Sequence, residues 1–160
     1  MSQRSLFILS GENSTIPKGE IEALVKTYSQ KTEISFLCSR VAIVNGPIDP
    51  TVITKRAAYV RLGGKYIDSM DLPLDETFKR INFTKLPKFN SFAARIYNLS
   101  KVAIPPEVEG SLGYAVKERF PSAKVSLKTP DMIVAGVICD NFFHICAVDA
   151  ASTLRSWTNR

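Results

Sequence analysis

Side chains able to do covalent or acid–base chemistry are few in this chain and do not cluster. There is one histidine, His144, inside the apolar run NFFHICAV, where it reads as a structural residue rather than a base. Three cysteines, Cys38, Cys139 and Cys146, stand at spacings that match no zinc or redox pattern, so no metal is expected. Cys139 and Cys146 flank a predicted hairpin turn and on that placement can face each other. The carboxylates are scattered, Ser10-Gly11 lacks the Gly-x-Ser-x-Gly frame that exposes a nucleophile, and Asp131, just after Pro130, reads as a turn or strand-start residue. In FILSGENSTIPKGEIEALVKTYS, residues 7–29, an apolar run breaks at a polar loop and resumes behind a proline. A phosphate loop there would need several glycines to bring backbone N–H groups against the anion, yet Gly11 stands alone and Glu12 follows it with a repelling charge. Gly11 therefore reads as a turn residue between strand and helix. No autonomous catalytic activity is expected.

Charge is the more informative property. The chain has 160 residues, 45% of them hydrophobic, and a net charge of +6. Residues 77–106 contain no acid but carry Lys79, Arg80, Lys85, Lys88, Arg95 and Lys101; residues 119–130 contain none and carry Arg119, Lys124 and Lys128. Such runs suit a polyanionic partner. No apolar stretch approaches the ~18 residues of a membrane span, and the N-terminus lacks a secretory pattern, so a cytoplasmic protein without a membrane partner is expected.

The elements that must carry these cations follow from periodicity. Residues 5–10 read as a buried strand. Pro17 opens a helix to about residue 29, with Ile16, Ile21, Leu24, Val25 and Tyr28 recurring at helical spacing and Ser14 or Thr15 as its cap. Residues 34–40 and 41–46 read as strands, 50–57 as a short helix, and 58–67 as a strand with a turn or bulge at Gly63-Gly64. Residues 75–81 (DETFKRI) read as a short helix. The pattern then restarts, with a strand at 91–99 and a helix at 107–120 striped by Val108, Leu112, Ala115, Val116 and Phe120. Gly110 and Gly113 in that helix point to close packing on a sheet. A strand at 124–128 and a hairpin of 131–140 with 141–150, turning at Asp140-Asn141, complete the chain. The fold class is α+β in two small domains, the first ferredoxin-like, with a single mixed-sheet domain as the alternative.

The stretch LSGENSTIPKGEIEALVK resembles the opening of the archaeal tRNA guanine-N2 methyltransferases that modify guanosine ten. The segments FAARI, EGSLGYAVKERF and KVSLKTPDMIVAGVICDNFFHICAV are similar to a THUMP domain, with Val125-Ser126-Leu127-Lys128-Thr129-Pro130-Asp131 the most specific piece. The resemblance implies an N-terminal ferredoxin-like domain over 1–82, a THUMP domain over 83–152, and in 153–160 the start of a connector to a catalytic domain. That further domain would bind S-adenosylmethionine and carry an Asn/Asp-Pro-Pro-Tyr motif, of which nothing occurs here; no cofactor is expected in this chain.

By the same resemblance the chain is the tRNA-binding half of such an enzyme, with tRNA and a methyltransferase domain, in cis or in trans, as partners. The alternatives are a stand-alone THUMP adaptor and a ferredoxin-like protein-interaction domain. THUMP domains hold the single-stranded 3′ end of tRNA, which calls for cations at phosphates and polar or aromatic groups at unpaired bases. On position and charge, Arg95, Lys101, Lys124, Lys128 and Arg155 are the expected phosphate contacts. Arg119, Lys85 and Lys88 rank behind them, Tyr97 is a candidate stacking face, and Trp157 packs either on the THUMP sheet or on the catalytic domain.

Overall fold

A computed structural model describes residues 3–149. Arg155, Trp157 and the 153–160 connector lie outside the described residues. The chain divides by packing into two compact units, residues 3–66 and 67–149.

The first unit runs β1 (Arg4–Leu9), α1 (Ile16–Tyr28), β2 (Glu33–Cys38), β3 (Val41–Asn45), α2 (Pro50–Arg56) and the first part of β4 (Val60–Asp71). β1 lies between β3 and β4, antiparallel to both, and β2 flanks β3. Alternation along the strands sends Phe7, Leu9, Ala42 and Val44 into a core with Ile21 and Val25 of α1 and Ile53 of α2. Thr15 stands at the N-cap of α1, but its side chain makes no cap bond; instead Asn13 Oδ1 accepts from the amides of Thr15 (2.8 Å) and Ile16 (2.9 Å). Gly63-Gly64 makes no turn. β4 runs straight through it because a Cβ on Gly63 would stand 2.7 Å from the Phe7 ring and 2.3 Å from Thr54 Oγ1, so the missing side chain lets β1 and α2 close on the strand. The bulge falls earlier, at Arg61: Ile8 pairs with Leu62 but Leu9 with Val60.

The second unit contains the end of β4, a 3₁₀ turn (Phe83–Lys85), β5 (Ser91–Asn98), α3 (Glu107–Arg119), β6 (Lys124–Val125), β7 (Met132–Cys139) and β8 (Phe142–Asp149). β5 is parallel to β6 on one side and to β7 on the other, and β7 forms an antiparallel hairpin with β8. Val108, Leu112, Ala115 and Val116 of α3 share a core with Phe92 and Ala94 of β5, Val134 of β7 and Phe143 of β8. Ile67, Met70, Phe78 and Ile81 join that core, so the packing groups 67–82 with the second unit.

Residues 75–81 are not a helix. Asp75 turns its carboxylate on the amide (3.0 Å) and hydroxyl of Thr77, competing with helical bonding, and Phe78 takes φ 52° while its buried ring lies 5.5 Å from that of Phe143. Seven residues do not offset those local choices. The strand expected over 124–128 stops at Val125, because Ser126 Oγ accepts from the Thr129 amide (3.2 Å) and closes a turn ahead of Pro130. A Cβ at Gly113 would stand 3.6 Å from Ala94 Cβ, whereas one at Gly110 would meet open space, so only one of the helix glycines lies against the sheet. Cys139 and Cys146 do not face each other: the hairpin pairs Cys139 with Phe142 and Cys146 with Ala135.

Candidate nucleic-acid interface

β6 is two residues long, and this shortness shapes the basic edge of the second unit. It covers β5 only at Ser91 and Phe92, with Ser126 N donating to Phe92 O (2.9 Å). Beyond that rung the same edge of β5 would be bare at Ala94 and Ile96, and side chains replace the absent strand. Glu109 of α3 accepts from Ile96 N through Oε2 (3.1 Å). Arg95 folds back to donate to Ala94 O (3.0 Å) and Leu127 O (3.2 Å), with its guanidinium 3.9 Å from Glu109 Oε1. Its side chain remains 34% exposed, so one face of the fork is open while the other is tied to the protein.

Lys124 and Lys128 flank the segment that Arg95 grips, and both are exposed. Lys124 N is held by Asn90 O (2.9 Å). Asp131 anchors the far end of the segment: its Oδ2 accepts from the amides of Asn90 (3.0 Å) and Ser91 (3.2 Å), while its own amide donates to Ser91 Oγ (2.9 Å). Asp131 is thus a clamp between β5 and β7, in keeping with a strand-start residue. Arg95, Lys124 and Lys128 come together on one edge. Lys101 does not join them: it follows Asn98, roughly 20 Å along β5 from the β6 rung at 3.3 Å per residue. There it sits in a loop closed by Asn98, whose side chain bonds Val102 O (2.7 Å) and the Ser100 amide (3.0 Å).

Of the second-rank residues, Arg119 ends α3 on the side that leads to Lys124, and Lys85 and Lys88 are exposed ahead of β5. Tyr97 offers little as a stacking face, being half-buried on the side of β5 away from α3; burial, before the neighbouring charges, pushes its hydroxyl up to about 12. Three groups that the sequence reading passed over stand out on this unit. Val125 and Leu127, 55% and 66% exposed, lie between the two lysines, and Tyr114 of α3 is 66% exposed. The helical wheel could have revealed Tyr114, since it lies off the Val108–Leu112–Val116 stripe. Lys117 is structural: its Nζ donates to Pro121 O (2.8 Å) and to Ala123 O, fixing the approach to β6.

In the β1–α1 turn the amides of Thr15 and Ile16 are met by Asn13, and no group of three metal-binding side chains occurs among the described residues. Among the described residues no helix is long and apolar enough to cross a membrane.

No family model matches the chain. Over 164 aligned residues it is 27% identical to the tRNA (guanine(10)-N2)-dimethyltransferase of Methanocaldococcus jannaschii, covering 89% of this chain and 46% of the relative. The chain therefore spans about half the length of the curated relative it matches. Among solved structures, TrmN from Thermus thermophilus is similar with a TM-score of 0.60, at 16% identity over 90% of this chain and 45% of that one. A 4-thiouridine synthetase, solved as an RNA complex with bound ATP, gives 0.55 at 15% over 93% and 42%. A possible methylase from Clostridium difficile 630 gives 0.61 at 16% over 93% and 41%. These likenesses show a shared α+β fold.

Proposed function

We propose that this chain is the tRNA-binding part of a tRNA-modifying methyltransferase and that the β6 edge of its second unit holds the single-stranded 3′ end. The observation that carries the reading is the similarity to a tRNA guanine-N2 dimethyltransferase along nearly the whole chain. The order β1-α1-β2-β3-α2-β4, with β1 between β3 and β4, supports a ferredoxin-like first domain. The Gly-containing helix between parallel strands and the following hairpin support a THUMP domain over 83–152. In this reading 153–160 leads to a catalytic domain, in cis or in trans, which binds S-adenosylmethionine and does the chemistry in the cytoplasm; this chain contributes position.

Lys124 and Lys128 meet phosphates, and the open side of Arg95 adds a third cation whose orientation is fixed in advance. Val125 and Leu127 between them give unpaired bases an apolar surface to lie on. Lys101, at the far end of β5, and Arg155, on its sequence alone, are the remaining phosphate contacts of this reading. With four or five phosphates engaged, log affinity falls with log salt at a slope of roughly −3, about −0.7 per contact on a single strand. The test is binding to an intact tRNA transcript and to the same transcript without its 3′ tail, across a salt series. Loss on trimming, reproduced by Lys124→Ala with the intact transcript, is the expected result. Equal binding to both transcripts would overturn 3′-end recognition.

A further inference from the structure

The turn that leaves β1 in the first unit has a use for its glycine beyond chain reversal. At the carboxyl end of β1, Leu9 N donates to Arg40 O (2.7 Å) and Ser10 N to Tyr59 O (2.8 Å), which brings the starts of β3 and β4 to either side of the loop. Both places carry a guanidinium. Arg40 stands in the β2–β3 turn, its Nε donating to Leu9 O (3.1 Å). A Cβ at Gly11 would lie 3.2 Å from that nitrogen and 3.4 Å from Cζ, so glycine lets the guanidinium rest on the backbone.

Arg61 arrives from the opposite strand through the bulge. As the extra residue between Leu62 and Val60, it reverses the alternation, so Val60 joins Phe7 and Leu9 in the core while the Arg61 side chain turns to the loop. Its Nη2 is 3.7 Å from Glu12 Oε1. Burial first, and then the like charge of Arg61, hold the Arg40 guanidinium below its ordinary value. Two guanidinium groups thus lie close enough to repel each other beside Gly11-Glu12, where the Glu12 carboxylate that pairs with Arg61 is 73% exposed. Glu20, a second carboxylate on this stretch, is taken up by the amides of Ala58 (2.8 Å) and Tyr59 (2.9 Å). The amides of Thr15 and Ile16 are already bound to Asn13.

We infer that Arg40 and Arg61 form a phosphate subsite in which Glu12 is a stand-in counter-ion that an incoming phosphate group replaces. A guanidinium fork matches phosphate oxygens two at a time, and a phosphate offers more acceptors and more charge than the carboxylate it displaces. Glu12, exposed on a loop, swings into water at little cost. The subsite is independent of the tRNA reading, since inorganic phosphate alone can fill it.

The experiment is titration of the isotopically labelled full chain with inorganic phosphate, against chloride at matched ionic strength, following amides 10–13 and the Nε–H signals of both arginines. Saturable shifts are expected in the wild type, about two- to fivefold tighter binding in Glu12→Gln, the equivalent of one exposed ion pair, and no saturable response in Arg61→Gln. Two arms separate the sources of phosphate. If the ligand is a polynucleotide backbone, Arg61→Gln also flattens the tRNA salt slope by about 0.7–0.9; an unchanged slope assigns the subsite to a free phosphorylated small molecule. Absence of any response beyond chloride in both the wild type and folded Glu12→Gln would overturn the proposal, whatever the 3′-tail experiment shows.

Discussion

His144 is the only histidine, and it is 6% exposed. Burial lowers its pKa from the ordinary 6.5. Between the folded and unfolded values the unfolded chain binds more protons, so this residue's contribution is fully present above pH 6.5 and is lost as pH falls from there through the lower folded value. The urea midpoint should decline from pH 7.5 to 5.5, and His144→Phe should flatten that decline; an identical slope in the variant would rule out His144 as its source. Two glycines offer a comparison of opposite sign at the same scale. A Cβ on Gly136 would stand 2.3 Å from Phe143 Cζ and 2.9 Å from Ile96 Cδ1, inside the core, so Gly136→Ala should cost about 1–3 kcal/mol. Gly110 lies within α3 and faces open space, so Gly110→Ala should gain up to about 1 kcal/mol from helix propensity. Urea unfolding of the two variants checks both signs.

At the scale of elements, the β5 edge holds one cation tied to the backbone by its side chain, Arg95, and one that is not, Lys124. Glu109→Ala strips Ile96 N of its acceptor and Arg95 of its ion pair, and should cost about 1–3 kcal/mol as a lost hydrogen bond to a charged group. Arg95→Ala should lower stability and tRNA affinity together, whereas Lys124→Ala, whose backbone alone makes the edge contact, should lower affinity with stability within about 0.5 kcal/mol. Thermal melts run beside the binding series would show whether the two losses separate. The elements themselves were largely legible in the sequence: α1 and α3 from their stripes, and the β7–β8 hairpin from its turn, with Asp140 at φ 54°. Long amphipathic segments report one face that must be buried, and that pattern survives any tertiary arrangement. What failed was decided by distant partners. Phe78 abandons a helix for a pocket beside Phe143, and β4 ignores two glycines because Phe7 and Thr54 need the space. The site was half legible for the same reason. Runs of cations are visible along the chain, but a strand spreads its neighbours over tens of ångströms, which parts Lys101 from Lys124. That Arg95 would be tied to two carbonyls depends on where β6 stops.

Over the whole chain the open question is which stretches unfold together. Residues 67–82 precede the THUMP-like pattern, yet Ile67, Met70, Phe78 and Ile81 lie in the core shared by α3, β5, β7 and β8. Phe78 is 1% exposed, so truncating it leaves a cavity the surrounding rings can only partly fill. Cooperative units show themselves in hydrogen exchange as groups of amides with a common opening free energy. Phe78→Ala should therefore lower the opening free energy of β5, β7 and β8 amides by about 3–5 kcal/mol, the usual cost of Phe to Ala in a core. Amides of β1 and β3, whose core contains none of these side chains, should change by no more than about 0.5 kcal/mol, as for sites without shared partners. Exchange measured at a series of sub-denaturing urea concentrations reads both groups in one sample. Equal losses in the two groups would mean that residues 3–149 open as one cooperative body, and a mutation near the basic edge would then reach the Arg40–Arg61 loop through stability alone. Unequal losses would make the two cation sites separable by mutation, which the binding experiments on Lys124 and Arg61 need if each is to report on its own contact.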